Sequence, residues 1–115
     1  MNTMVNKIMH TPSWLPPADI YETEDNITVR LEVAGMHKED FSIELNGRHL
    51  RVRGARQDTP ERRSYYQMEI QFGEFFLELA LPTPVDSQKV EAIYENGFLC
   101  ILLPKARPHR IPIES

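Results

Sequence analysis

Ile27-Thr28-Val29-Arg30-Leu31-Glu32-Val33 alternates apolar and polar side chains without a break. A pleated strand sends successive side chains to opposite faces, so this stretch offers one face to a core and the other to water. A helix would scatter the same apolar residues around its axis. The β-branched Ile27, Thr28, Val29 and Val33 are stiff at χ1 and suit the pleat. The period recurs on the C-terminal side. Phe41, Ile43 and Leu45 alternate with Ser42 and Glu44, and Leu50 and Val52 alternate with Arg51 and Arg53. Phe75, Leu77, Leu79 and Leu81 form a further stripe. Ala34-Gly35, Asn46-Gly47, Gly54, Pro82 with Pro84, and Asn96-Gly97 read as turns between strands. Phe98 to Leu103 is apolar on both faces, which predicts a strand covered on both sides. Many short strands with close turns, and no long helical stripe after residue 17, imply an all-β fold of the immunoglobulin-like β-sandwich kind.

Bulk properties narrow the class. The chain has 115 residues, enough for one domain with a modest core. Apolar residues make up 41% and charged residues 26%, the balance of a soluble globular protein. The net charge of -4 argues against nucleic-acid binding, which needs a basic face to displace counterions. No apolar run is long enough to span a bilayer, and residues 1–10 lack a secretory pattern. Cys100 is the single cysteine, so no internal disulfide forms and a cytoplasmic location is expected.

The chain divides into an N-terminal arm (1–16), a sandwich body (17–104) and a C-terminal extension (105–115). In the arm Met1, Met4, Val5, Ile8 and Met9 share one face at helical spacing, until Pro12, Pro16 and Pro17 stop any helix. So short a helix is marginal alone, and the arm is read as frayed or dependent on a partner. Inside the body, residues 57–71 start charged and turn aromatic at Tyr65 and Tyr66. A long loop in a small domain is suspect unless it has a task. Tyr66, Met68 and Ile70 alternate with Gln67 and Glu69, so the loop is expected to carry a short strand. Two readings stand equal on pattern alone: a hairpin on its own body, or an arm pairing with the sheet edge of a second subunit.

Ile111-Pro112-Ile113 ends a polar, proline-interrupted segment. Pro112 biases the chain toward an extended shape, in which the two isoleucines point the same way roughly 7 Å apart. A frayed terminus or a tail folded on its own body are the alternatives. Seven linker residues span at most about 23 Å, and the prolines hinder a sharp return. The peptide is therefore read as docking on another copy of the chain. Chemistry points away from catalysis. His10, His37, His49 and His109 have no metal-ligand spacing with one another or with Cys100. Cys100, between Leu99 and Ile101, reads as a packed thiol. No cofactor, metal or catalytic group is expected.

Several segments, taken in order, resemble the small heat-shock protein family and its alpha-crystallin domain. They are Leu31-Glu32-Val33-Ala34-Gly35-Met36 with Glu39-Asp40-Phe41, then Leu50-Arg51-Val52-Arg53-Gly54, then Gly73-Glu74-Phe75 leading to Leu81-Pro82. Ala92, Asn96, Gly97 and Leu99 match the family's A-x-x-x-n-G-x-L signature, and Ile111-Pro112-Ile113 matches its I-x-I tail. The resemblance implies that the 57–71 loop is a dimer-exchange loop. Tyr65, Tyr66 and Met68 would then meet Ile20 and Tyr21 on the Asp19 to Glu22 edge of a partner. It also implies a tail-receiving groove formed by Ile43 and Leu45 on one side and Val90 and Ala92 on the other. The homodimer would assemble into a larger homo-oligomer. Two departures stand out: Leu77 occupies a position where many members have arginine, and the arm is short.

The function implied is that of an ATP-independent holdase that binds unfolding client proteins through Met1, Met4, Val5, Ile8, Met9, Trp14 and Leu15. Flexible methionines adapt to unrelated surfaces. The alternative is a co-chaperone-like adaptor of similar sandwich fold that binds one folded partner, which would not be expected to carry an I-x-I tail or an inserted loop. A carbohydrate-binding module fits less well, because the single Trp14 lies in the arm.

Overall fold

The computed structural model describes residues 14–108 and 111–115. Among these residues there are seven strands: β1 (Ala18–Glu22), β2 (Asn26–Glu32), β3 (Phe41–Asn46), β4 (His49–Arg56), β5 (Gly73–Ala80), β6 (Glu91–Glu95) and β7 (Phe98–Pro104). They form two antiparallel sheets, one ordered β1-β2-β7-β6 and the other β3-β4-β5. Helix among the described residues is limited to single 3-10 turns at Lys38–Asp40 and Ser87–Lys89.

The alternation that defines β2 sets the core. Ile27, Val29 and Leu31 are fully buried, and so are their β7 neighbours Leu103 and Ile101, with Leu99 nearly so. The second sheet contributes Leu50, Val52 and Phe75 to the same cluster. No polar or charged side chain is buried among the described residues, so the sandwich is held mainly by apolar burial. Asn96 and Gly97, between β6 and β7, have φ of 53° and 79°. This pair of left-handed residues lets a two-residue turn match the twist of its strands.

Four expectations change. Gly54 is not a turn: it lies inside β4, opposite Phe75 of β5 and Phe41 of β3. A Cβ there would lie 2.5 Å from the Phe75 ring, so the missing side chain makes room for that ring rather than for a bend. The 57–71 loop carries no strand, because within one chain it joins no ladder and a strand needs a paired edge. The outer face of β7 is left partly uncovered by the described residues, with Phe98 and Leu102 exposed. Trp14 and Pro16, assigned to the arm, are buried against the body.

Candidate functional site

The groove implied by the resemblance would lie between two sheet edges. Among the described residues β3 pairs only with β4, and β6 only with β7, so within them each presents an unpaired row of backbone groups. The Phe41 and Tyr94 rings lie 5.0 Å apart between centroids, which brings these two edges together on one side of the sandwich. On β3 the inward residues Phe41, Ile43 and Leu45 are half-buried and pack on the core. On β6 Ala92 and Tyr94 sit in register with the buried Ile101 and Leu99, and therefore face the same way. Val90, just before β6, also packs on the core. The four residues assigned to the groove thus lie along apolar edges that the body does not close. Phe41 and Tyr94 belong with them and were not singled out from sequence; their places two residues from Ile43 and Ala92 carried the signal. The Tyr94 hydroxyl donates to the Val33 carbonyl at 2.7 Å and accepts from the Met36 N–H at 3.2 Å, which pins this end of the groove.

The tail starts anchored and ends free. The Lys105 N–H donates to Asp25 O at 2.8 Å, and the Ala106 N–H to Pro84 O at 3.0 Å. Lys105 Nζ reaches Glu22 at 2.6 Å and the Thr23 carbonyl at 2.8 Å. Beyond this stub Ile111 and Ile113 are 76% and 96% exposed, so they do not occupy the groove of their own chain.

The loop has an ordered base and an ordered hub. At the base, the Arg56 guanidinium lies 4.2 Å from the Trp14 ring centroid and 5.4 Å from that of Phe72. It donates to the Gln71 carbonyl at 3.0 Å and the Ala34 carbonyl at 3.1 Å. The Trp14 indole N–H donates to Gly73 O at 2.9 Å, and its ring meets Phe75 edge-on at 5.6 Å. At the hub, Arg63 pairs with Asp58 and with Glu61 at 3.1 Å, and donates to Tyr65 Oη at 2.9 Å. Its hydrogen bond holds the Asp58 carboxyl below the usual range, and Asp58 in turn raises the Arg63 guanidinium. Tyr65, Tyr66, Met68 and Ile70 are exposed, as are Ile20 and Tyr21 on the edge strand β1. Ile20 pairs with buried Val29, and Tyr21 with Thr28, so the two lie on opposite faces of β1.

Of the residues assigned to client binding, Met1, Met4, Val5, Ile8 and Met9 lie outside the described residues. Trp14 departs from its assignment: it is only 7% exposed, because its ring packs on Phe75 and under Arg56. Leu15 is exposed. Leu77 packs against the core in register with Val52. Cys100 is a free, half-buried thiol. Among the described residues no group of His, Cys, Asp or Glu side chains is placed to hold a metal ion, and no helix is long and apolar enough to cross a membrane.

The profile of the Hsp20/alpha crystallin family matches residues 19–114. The chain is 35% identical over 103 residues to the 22.0 kDa heat shock protein of Arabidopsis thaliana, covering 84% of this chain and 52% of that protein. It is 28% identical over 93 residues to small heat shock protein C2 of Rickettsia felis, covering 79% of this chain and 60% of that one. Against the Dictyostelium discoideum heat shock protein it is 31% identical over 94 residues, 80% of this chain but 23% of its relative. The chain thus spans about a quarter to three fifths of these curated relatives' length. Among solved structures, heat shock protein 16.0 of Schizosaccharomyces pombe superposes with a TM-score of 0.70 at 26% identity, over 88% of this chain and 99% of that one. A small heat-shock protein from Xylella fastidiosa gives 0.74 at 24% identity, over 90% and 99%, a likeness of fold. The fold is therefore the alpha-crystallin β-sandwich, and the chain belongs to the Hsp20/alpha crystallin family of small heat shock proteins. Membership supports a chaperone role, and the proteins of this family are not enzymes.

Proposed function

We propose that the chain is an ATP-independent holdase of the cytoplasm that captures partly unfolded proteins and keeps them from aggregating. The observation that carries the assembly in this reading is the set of exposed apolar residues on segments outside the core, and Leu15, also exposed, is the described residue offered to a client. The loop offers Tyr65, Tyr66, Met68 and Ile70, and the tail offers Ile111 and Ile113. Monomeric soluble proteins rarely leave such groups uncovered in clusters, and family membership supplies the context. In this reading the 57–71 loop of one subunit adds a strand to β1 of its partner, which supplies the ladder its alternating sequence lacks within one chain. Ile111 and Ile113 enter the β3–β6 groove of a neighbouring dimer. Residues of the arm, with Leu15, meet the client.

Magnitudes set the order of assembly. Burying an isoleucine contributes about 1.5–3 kcal/mol. Two give about 3–6 kcal/mol before ordering costs, a contact near the millimolar range or weaker. Many such contacts in a closed assembly become strong together. The dimer is then the stable unit, and tails link dimers reversibly. The test is light scattering from a heat-aggregating enzyme mixed with the chain at near-stoichiometric ratio without ATP. Suppression of the scattering is expected; none at any temperature would refute the holdase reading.

A further inference from the structure

The outer face of the β1-β2-β7-β6 sheet carries an apolar strip that no described residue covers. Ile93 of β6 stands in register with Cys100 of β7, and Phe98 and Leu102 lie two residues to either side of Cys100, on the same face. Ile93 is 55% exposed, and Phe98 and Leu102 are also open. Acidic residues border the strip: Glu95 opposite Phe98, Glu91 opposite Leu102, and Glu32 across from Phe98 on β2. The nearby cation, Arg30, is committed to Asp19 at 2.9 Å and lies over the Phe98 ring at 5.7 Å.

We propose that this face is the resting dock of the N-terminal segment, residues 1–13, of this chain or of an adjoining subunit. Three features select that occupant. The segment has a single apolar face in Met1, Met4, Val5, Ile8 and Met9, which matches a strip rather than a pocket. It contains Lys7 and His10 and no Asp or Glu, so its charge complements the acidic border. Its reach is sufficient: the N–H of Glu32, which borders the strip, donates to Pro17 O at 3.0 Å, so the chain enters the body beside the strip, and thirteen extended residues span about 43 Å. A second copy of the same face is disfavoured, because stacking would set Glu32, Glu91 and Glu95 against their own counterparts. The tail supplies only Ile111 and Ile113, and these suit the β3–β6 groove.

Cys100 makes the proposal measurable, since it is the only thiol in the chain and sits within the strip. In the 115-residue chain its reaction with a small aromatic disulfide reagent should be slow. In the Met4→Asp/Ile8→Asp chain the rate should rise at least about tenfold, as expected when a protecting local contact is lost. Circular dichroism and Trp14 fluorescence should remain unchanged. In Ile8→Cys, oxidation with diamide, which accepts the two electrons and two protons released, should give a disulfide between the introduced thiol and Cys100. Peptide mapping then tells a link within one chain from one between chains, and either supports the dock. An unchanged Cys100 rate in Met4→Asp/Ile8→Asp overturns the proposal. So does acceleration found instead in Ile111→Asp/Ile113→Asp, which would put the tail on this face. A link between the Cys100 thiols of two chains as the sole product would mean a second copy lies there, and also overturns it. None of these outcomes bears on the holdase reading, which rests on the aggregation assay.

Discussion

Gly54 shows how one missing side chain can organise a small core. Phe75 fills the space its Cβ would occupy, and the Met36 methyl lies 3.2 Å from the same point. Gly54→Ala should therefore displace a fully buried ring, with a loss of about 1–3 kcal/mol. Guanidinium denaturation at fixed subunit concentration, followed through the single Trp14, measures it; a variant as stable as the parent would contradict the packing described. Asp58 gives a second prediction at this scale. Arg63 holds its carboxyl below the usual range, so the folded chain keeps the carboxylate charged to lower pH than the unfolded chain does. Its contribution is fully present above the ordinary aspartate value of about 4 and fades as pH falls through the lowered one. Carboxyl NMR should place the Asp58 midpoint below that of an ordinary aspartate, with Tyr65 signals moving in step. In Arg63→Gln the midpoint should return to the ordinary range.

Strands and loops are where local pattern met its limits. β2 and β3 follow from strict alternation, and the β6–β7 turn follows from Asn96-Gly97, because these signals lie within a few residues. The loop is different. Tyr66, Met68 and Ile70 alternate as a strand would, yet no ladder includes them within one chain. Strand pairing is a property of two segments, and a one-segment pattern cannot supply the second. The base of the loop was not legible either. Arg56 joins Trp14, Phe72, Ala34 and Gln71, groups far apart in the chain. Arg56→Ala should release the cover over Trp14. The expected readouts are a red-shifted Trp14 emission and faster proteolysis within 57–71; an unshifted spectrum would show that Arg56 is not what shields the indole.

At the scale of the whole molecule, the exposed tail and the proposed groove belong to one prediction. Native mass spectrometry of Ile111→Ala/Ile113→Ala should show the population shifted from larger assemblies to dimers, because each docking is weak and a larger assembly depends on their number. An unchanged mass distribution would remove the tail from assembly. What the sequence determined by itself is the β-sandwich, the family, and the apolar pair at the tail, since alternation, turn residues and short motifs are all local in the chain. The groove residues Ile43, Leu45, Val90 and Ala92 came from resemblance rather than pattern, and the fold places them along two facing edges. Only the tertiary structure decided that Phe41 and Tyr94 bring the β3 and β6 edges together, that Trp14 belongs to the core, that Gly54 accommodates a ring, and that no described residue covers the outer face of β7. Each of these depends on which distant residue arrives beside it. That is settled by packing two sheets into one shared volume, and periodicity along a single strand does not contain it.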